Sequence, residues 1–595
     1  MYGFANPPLY LLLFCLIPIQ TVRADSDQPN IIVILSDDQG WGDLSIHGNS
    51  NLRTPNIDRV ASEGMRFDRF YVCPICSPTR AEFMTGRYNP RTGVKSASRG
   101  EERLDLDETT IFQDFKAAGY QTAAFGKWHN GMQPPYHPNA RGIDEYYGFC
   151  SGHWGHYYSP MLEHNGEIVK GEGFVIDDFT NHAMEYIEEN QNQPFFVYLP
   201  YCTPHSPMQV PDPWWEKFAE NDLPLRARED QSEDLAHARA ALAMCENIDW
   251  NVGRLLNKLD ELKLTDNTIV IYFSDNGPNG FRWNADMKGK KGSVDEGGVR
   301  SPFFIRWPNK IKSGSTTDKI AGSIDLKPTL LDLANIRSVG QLPMDGVSLK
   351  PLLLKSAERW PDRLYVNHFN GKTSVRSQRF RLGFKGSLFD MKNDPGQRVN
   401  VKDQFPKAYE QLSQARDIFL KEVASELPRG KDDRPFTIGH PELLFTQLPA
   451  RDAVASGEIQ RSGRAPNCSF YTHWVNTKDN IQWNTDVQLE GDYRAQVYYT
   501  CSTENLGTVL QLSHGESAIT KEVSVANDPP LIGEELDRAQ RRSESYVKDF
   551  IPLDLGVIHL KEGRNPLVLS AIKIPGEQSI EMRLLLLTRV IGLEE

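Results

Sequence analysis

The chain has 595 residues, too many for one ordinary core, and a formal net charge of −13. That acidic balance excludes a nucleic-acid binder, and it requires any anionic substrate to be met by a local cluster of cations. The apolar run Leu9–Ile19 has signal-peptide length and is followed by Val22-Arg23-Ala24. Residues 1–24 are therefore expected to be a cleaved signal, giving an exported chain, periplasmic or extracellular, that starts near Asp25 and has no stable membrane insertion. The 8 cysteines show no framework spacing, and only Cys468 with Cys501 offers a local disulfide.

Asn30–Ser36 is a continuous apolar, β-branched run, which predicts a parallel strand buried on both faces, and it ends abruptly in Asp37-Asp38. Helical patterning follows over Thr54–Ala61, and a short helix starts near Cys76-Ser77-Pro78, with proline at its first position and Gly86 closing it. Phe195–Leu199 reads as a second buried strand leading to Pro204-His205-Ser206-Pro207. A long helix is expected from about 234 to 262. A third strand, Thr268–Ser274, runs into Asp275-Asn276-Gly277. This alternation implies an α/β domain that binds ligands beyond the carboxyl ends of its strands. From about residue 450 the period changes to two: Ile481–Leu489 and Tyr493–Tyr499 alternate strictly, with Gly491-Asp492 marking a hairpin between them. Residues 450–595 are expected to form an independent antiparallel β-sandwich, with 431–449 as a linker.

Asp37, Asp38, Asp275 and Asn276 offer hard oxygens at two strand ends, a set that suits Ca²⁺ or Mg²⁺ and not zinc. Read singly, each is a turn or cap residue; as paired buried acids they need a counter-charge. Cys73 and Cys76 form a C-x-x-C pair with no second pair at zinc spacing. Cys76 at the helix start is open to two readings, a buried core cysteine or a residue facing exposed N–H groups where an anion is favoured. Arg80, one turn on, shares its face.

Cys76-x-Pro78-x-Arg80 followed by Thr85-Gly86-Arg87 resembles the signature of the formylglycine-dependent sulfatases. Asn30–Gln39, Thr54–Phe67, Gly126–His129 (GKWH), Pro204–Pro207 (PHSP), Ser274–Gly277 (SDNG) and Lys291–Arg300 are similar to further motifs of that family, in family order. The resemblance implies an alkaline phosphatase-like α/β fold: a catalytic domain over 25–364 with a large, mostly parallel sheet, and a small C-terminal sheet subdomain over 365–430. It also implies that Cys76 is oxidised to formylglycine by a formylglycine-generating enzyme. Calcium would be held by Asp37, Asp38, Asp275, Asn276 and residue 76. Arg80, Lys127, His129, His205 and Lys291 would be the catalytic residues; taken alone, Lys127 and Lys291 read as loop lysines and His205 as a packed loop histidine. In the implied chemistry a hydroxyl of the hydrated aldehyde, with Asp275 as base, attacks sulfur. His205 or Lys291 protonates the leaving alcohol, and His129 takes the proton that lets sulfate depart.

His153, Trp154, His156 and Tyr157 are candidate substrate-binding residues, as flat rings would suit a sugar wall, and Trp214-Trp215 is a second candidate; loop packing is the other reading. A sulfated carbohydrate is the expected substrate. The rivals are a formylglycine-dependent phosphodiesterase or phosphonate monoester hydrolase and a non-catalytic calcium-dependent glycan-binding protein. The latter would lack Cys76, Arg80 or Lys291, and none is missing. Because every catalytic candidate precedes residue 300, the sandwich is expected to be dispensable for small aryl sulfates.

Overall fold

A computed structural model describes residues 28–355, 360–427, 430 and 432–591; the expected signal lies outside them. Its centre is a ten-stranded mixed sheet whose inner strands run parallel. Strand β1 (Asn30–Ser36), helix α1 (Cys76–Thr85), β2 (Gln121–Lys127), β3 (Phe195–Pro200), helix α2 (Leu235–Glu261) and β4 (Thr268–Ser274) position the site. In space the strands run β4, β1, β3, β2. The unbroken apolar run of β1 has a direct cause. Ile31, Val33 and Leu35 enter the core that includes α1, and Ile32 and Ile34 enter the opposite core that includes α2, so both faces are covered. Asp234 caps α2 by accepting the His237 N–H at 3.2 Å, which fixes where that helix begins.

A four-stranded antiparallel sheet over Tyr365–Asp390 and the helix Pro406–Glu422 share a smaller core. The C-terminal region is a two-sheet sandwich around Ile481, Trp483, Tyr493, Val497, Leu512, Leu569 and Leu585. Here the structure corrects three expectations. Residues 431–449 are not a free linker, since Phe436–Ile438 and Phe445–Pro449 are strands of the two sandwich sheets. The segments Asn480–Val487 and Gly491–Thr500 do not form a hairpin. They lie in different sheets, and their inward residues Trp483, Val487, Tyr493 and Val497 meet in one core, so the chain arches across it. Cys468 and Cys501 are both free thiols: Cys468 Sγ lies 3.5 Å from Ser545 O and Cys501 Sγ 3.5 Å from Ser502 O, each buried in its own surroundings. No helix among the described residues is long and apolar enough to cross a membrane.

Candidate active site

Parallel pairing of β1 and β4 sets Ser36 opposite Ser274, so the two chains leave the sheet together and carry their acids to one place. The Asp275 N–H donates to Ser36 O (3.1 Å), and the Asp38 N–H donates to Asp275 Oδ1 (3.2 Å). Asp38 adopts φ 69°, a left-handed turn that aspartate tolerates better than most residues and that brings its carboxylate back over the strand ends. Asn276 Nδ2 donates to Asp38 Oδ1 at 2.7 Å. All four side chains are buried.

Helix α1 points its start at these acids. Ile75 is its N-cap and Cys76 its first residue, so Pro78 stands third and not first; it still occupies a first-turn position whose N–H has no partner within the helix. Gly86 ends the helix at φ 73°. Cys76 Sγ and one oxygen each of Asp37 and Asp275 lie within 4.8 Å of one another. Three cations each hold one acid: Arg80 Nη2 to Asp275 Oδ2 at 2.9 Å, Lys127 Nζ to Asp37 Oδ2 at 2.6 Å and Lys291 Nζ to Asp38 Oδ1 at 2.7 Å. Lys291 is thus the lysine of its run that reaches the site. Lys290 lies over Phe281 and Lys288 over Phe389. Cys73 turns away, with Sγ 3.6 Å from Asn89 Oδ1, so the C-x-x-C spacing is not a functional pair.

The histidines are neutral with defined tautomers. His129 Nε2 lies 2.8 Å from Ala97 O, so it donates that bond and leaves Nδ1 as a buried lone pair without a partner. Burial and then Lys127 push its pKa well below the ordinary value. His205 Nδ1 lies 2.8 Å from Ser206 O and must donate there, which turns the Nε2 lone pair toward Asp38 Oδ2, 3.6 Å away. Burial and Lys291 bring His205 down to about 4. Lys291 moves the other way: burial opposes its charge, but Asp38 and the neighbouring acids outweigh burial and raise it, so it remains protonated. Burial also raises Cys76 against the pull of Lys127 and Lys291, leaving an un-ionised thiol.

Asp37 Oδ1 and Asn276 Oδ1 are buried without hydrogen-bond partners. Burial drives Asp37 upward, and although Lys127 opposes this, Asp275 and Asp38 add to it. Orphaned hard oxygens among crowded acids fit a divalent cation such as Ca²⁺. A second cluster, His137, Cys150 and Glu163, does not fit one. There His137 Nδ1 accepts the Asn139 N–H (3.2 Å), so Nε2 carries the proton that it donates to Glu163 (2.8 Å).

The expected sugar wall is not exposed. Tyr157 is fully buried with its hydroxyl 3.0 Å from Cys202 O, bracing the turn that carries His205. Trp154 stacks on Phe149 (4.9 Å) beneath the Arg583 guanidinium, and His156 Nδ1 accepts the Tyr158 N–H at 3.3 Å. Trp214 and Trp215 pack against Trp250 and Arg538. Of these candidates Tyr157 touches the His205 carbonyl (3.1 Å) from beneath, and His153 sets its ring beside that of His205, 5.8 Å away. Residues that bury this loop come from the sandwich and escape sequence reasoning. Asn467 Nδ2 lies 3.3 Å from His153 Nδ1, and a Cβ at Gly152 would meet both Asn467 and His129 at 2.5 Å. Asn467 itself is buried.

Buried cations, acids and a helix start gathered at the carboxyl ends of a mostly parallel sheet define an alkaline phosphatase-like hydrolase of oxyanion esters. A family model described as sulfatase matches residues 29–336, more than half of the chain, and one described as N-sulphoglucosamine sulphohydrolase, C-terminal, matches 290–424. The chain belongs to the sulfatase family. It is 31% identical over 362 residues to N-acetylgalactosamine-6-sulfatase of Canis lupus familiaris, a match covering 55% of this chain and 66% of that one. Human steryl-sulfatase is 28% identical over 458 residues, covering 60% and 75%. Among solved structures, Ps i-CgsB in complex with k-i-k-neocarrahexaose is similar with a TM-score of 0.59 and 28% identity, over 67% of this chain and 94% of that one. BT4656 in complex with its substrate D-glucosamine-2-N,6-O-disulfate gives 0.55 and 26%, over 68% and 100%. The phosphonate monoester hydrolase of Agrobacterium radiobacter, at 0.52 and 22% over 67% and 96%, shares the fold.

Proposed function

We propose that the protein is an exported sulfatase that hydrolyses a sulfate ester on a carbohydrate, using a formylglycine formed from Cys76 by a formylglycine-generating enzyme, together with Ca²⁺. The observation that carries this reading is the placement of the Cys76 side chain at the start of α1, beside Asp37 and Asp275 and among two buried cations, Arg80 and Lys127, and the part-buried Lys291. A protonated thiol there is a poor nucleophile, which favours a modified residue. The names of the relatives, an N-acetylgalactosamine-6-sulfatase and proteins solved with a sulfated glucosamine or a carrahexaose, support a sugar sulfate.

A hydrated formylglycine at position 76 supplies an oxygen nucleophile and a second hydroxyl through which the aldehyde can be regenerated. Calcium held by Asp37, Asp38, Asp275 and Asn276 supplies positive charge beside it. The chain's own residues do the rest. Lys127 and Lys291 bind and neutralise the sulfate oxygens once their carboxylates have a metal partner. Arg80 fixes Asp275 as a base. Protonated Lys291 is better placed than neutral His205 to give the departing alcohol a proton. His129 Nδ1 can accept one.

Cys76→Ala is expected to release no sulfate from an aryl sulfate while melting like the wild type. A digest of wild-type protein co-expressed with the modifying enzyme should show the Cys76 peptide lighter, with an aldehyde oxygen in place of the thiol sulfur. An active Cys76→Ala protein would sink the reading. Faster turnover of an aryl phosphonate monoester than of the aryl sulfate would move the enzyme to the phosphonate class.

A further inference from the structure

The C-terminal region sends out an excursion, residues 532–547, closed at its base by Ile532 N donating to Val547 O (2.8 Å). The excursion is docked on both segments that carry the outer histidines. Toward the turn after His205, Arg538 N donates to Met208 O (2.8 Å), and Gln209 Nε2 donates to Asp537 Oδ1 (2.7 Å). Toward the loop of His153, Val547 packs so closely on Gly155 that a Cβ there would lie 2.1 Å from it. Glu544 lies between these anchors, and its neighbours dock on the segment that touches His153: Ala465 N donates to Ser543 O (3.0 Å), Cys468 Sγ lies 3.5 Å from Ser545 O, and Asn467 between them lies 3.3 Å from His153 Nδ1. Glu544 accepts the Ser543 N–H at 3.1 Å and makes no ion pair within 4 Å among the described residues. Burial opposes its charge, and the Ser543 N–H that it accepts favours the ionised form.

Within the reading of the preceding subsection, the sulfate enters among Lys127, Lys291 and residue 76. His205 borders that group at 3.6 Å from Asp38, and His153 stacks outside it, so the esterified ring departs past these two rings. We propose that Glu544 is a specificity-determining residue: the C-terminal excursion presents its carboxylate to the sugar that carries the sulfate, where it accepts hydrogen bonds from a hydroxyl or amino group and excludes a second anionic substituent. Three clustered cations attract any anion, so they cannot distinguish a singly from a doubly sulfated ring. A fixed like charge at the rim can. A carboxylate with no cation of its own also lacks a strong donor until a ligand brings one, and a substrate without that group leaves it unpaired.

The test uses the full chain, co-expressed with the formylglycine-generating enzyme, on 4-nitrophenyl sulfate, N-acetylgalactosamine 6-sulfate and glucosamine-2-N,6-O-disulfate. For Glu544→Gln we expect kcat/KM on the aryl sulfate to stay within about twofold and KM on the monosulfated sugar to rise about tenfold or more, with kcat nearly held. The preference against the disulfate should relax, and Glu544→Asp, which keeps the charge, should retain it. A parallel fall on aryl and sugar substrates would show that Glu544 acts through His205 or the fold, and unchanged sugar kinetics would show that it touches no substrate; either overturns the inference. Wild-type protein that cleaves the aryl sulfate and neither sugar removes the carbohydrate reading and this inference with it. Wild-type protein inert on the aryl sulfate as well removes the sulfatase reading itself.

Discussion

At the ends of β1 and β4, three acids and three bases pair one to one within the catalytic domain, whereas at its junction with the sandwich the buried charges pair across the chain. There Arg451 Nη2 meets Glu102 Oε1 at 2.6 Å and Arg451 Nη1 meets Asn467 Oδ1 at 3.0 Å, while Gln133 Nε2 donates to Asp452 Oδ2 at 3.1 Å. Both sets are desolvated, and both cost free energy to bury. They differ in what else their members can bind. In the proposed reading the strand-end lysines would bind sulfate oxygens, so those ions would be a binding site as well as a set of pairs. Arg451 spends its guanidinium on protein groups, Glu102, Asp452, Ser151 and Asn467, on both sides of the junction. On that reading the strand-end set would serve turnover, whereas the junction set fixes the sandwich against the loop that carries His153.

Removing residues 430–595 should break this comparison most severely. The cut exposes Glu102 and Gln133, uncovers the 151–158 loop and takes away Asn467 beside His153. Loss of soluble protein, or of aryl-sulfatase activity together with sugar activity, is expected. The linker-and-module arrangement read from the sequence predicts the opposite, and a soluble truncated enzyme with full aryl-sulfate turnover would restore it.

Next in size is a matched pair. Lys291→Ala should lower kcat/KM about 10²- to 10³-fold, as for the loss of one group that stabilises developing charge, with a smaller loss of stability than Arg451→Ala because Asp38 keeps its Asn276 donor. Arg451→Ala strands Glu102 and Asp452 in the interior and should cost about 3–5 kcal/mol of stability. Denaturant melts and aryl-sulfate kinetics on both variants separate the roles. If Lys291→Ala is the less stable protein, the assignment is reversed.

What could be read from the sequence follows the range over which the determinants act. Asp37, Asp275 and His205 follow apolar runs that announce buried strands, so element and site are encoded within about ten residues, whereas Lys127 ends a strand, Gln121–Lys127, that no β-branched run announces. The junction is encoded by partners such as Glu102 and Arg451, separated by hundreds of residues and indistinguishable in the sequence from solvated surface charges. The same range explains the arch mistaken for a hairpin, because period-two alternation says which side chains point inward but not which strand lies alongside. Trp154 and Tyr157 were legible as aromatic; that sandwich residues and the turn after β3 bury them was not. Glu544 lies in a polar stretch with no periodicity, and only the docking of its excursion brings it to the site.

The smallest expected effect is in the acid response and involves His237, next to the docked excursion. Burial, then Arg282 and Arg542, bring its pKa down to about 3, and its Nε2 is buried without a partner. Well above its ordinary value of 6.5 the ring is neutral in both folded and unfolded chains and contributes nothing to the pH dependence. As pH falls below that value the unfolded chain takes up a proton that the folded chain refuses until about pH 3, so stability declines through that window and not at alkaline pH. The slope is at most about 1.4 kcal/mol per pH unit for one such group, and His205, held near 4, adds a similar decline of its own. His237→Gln keeps a side chain of comparable reach with nothing to titrate, so denaturant midpoints measured from pH 7 to pH 5 should fall less steeply for the variant than for the wild type. Parallel profiles for His237→Gln and wild type would show that the folded protein admits the proton at its ordinary pKa, and that this side of the junction is open to water.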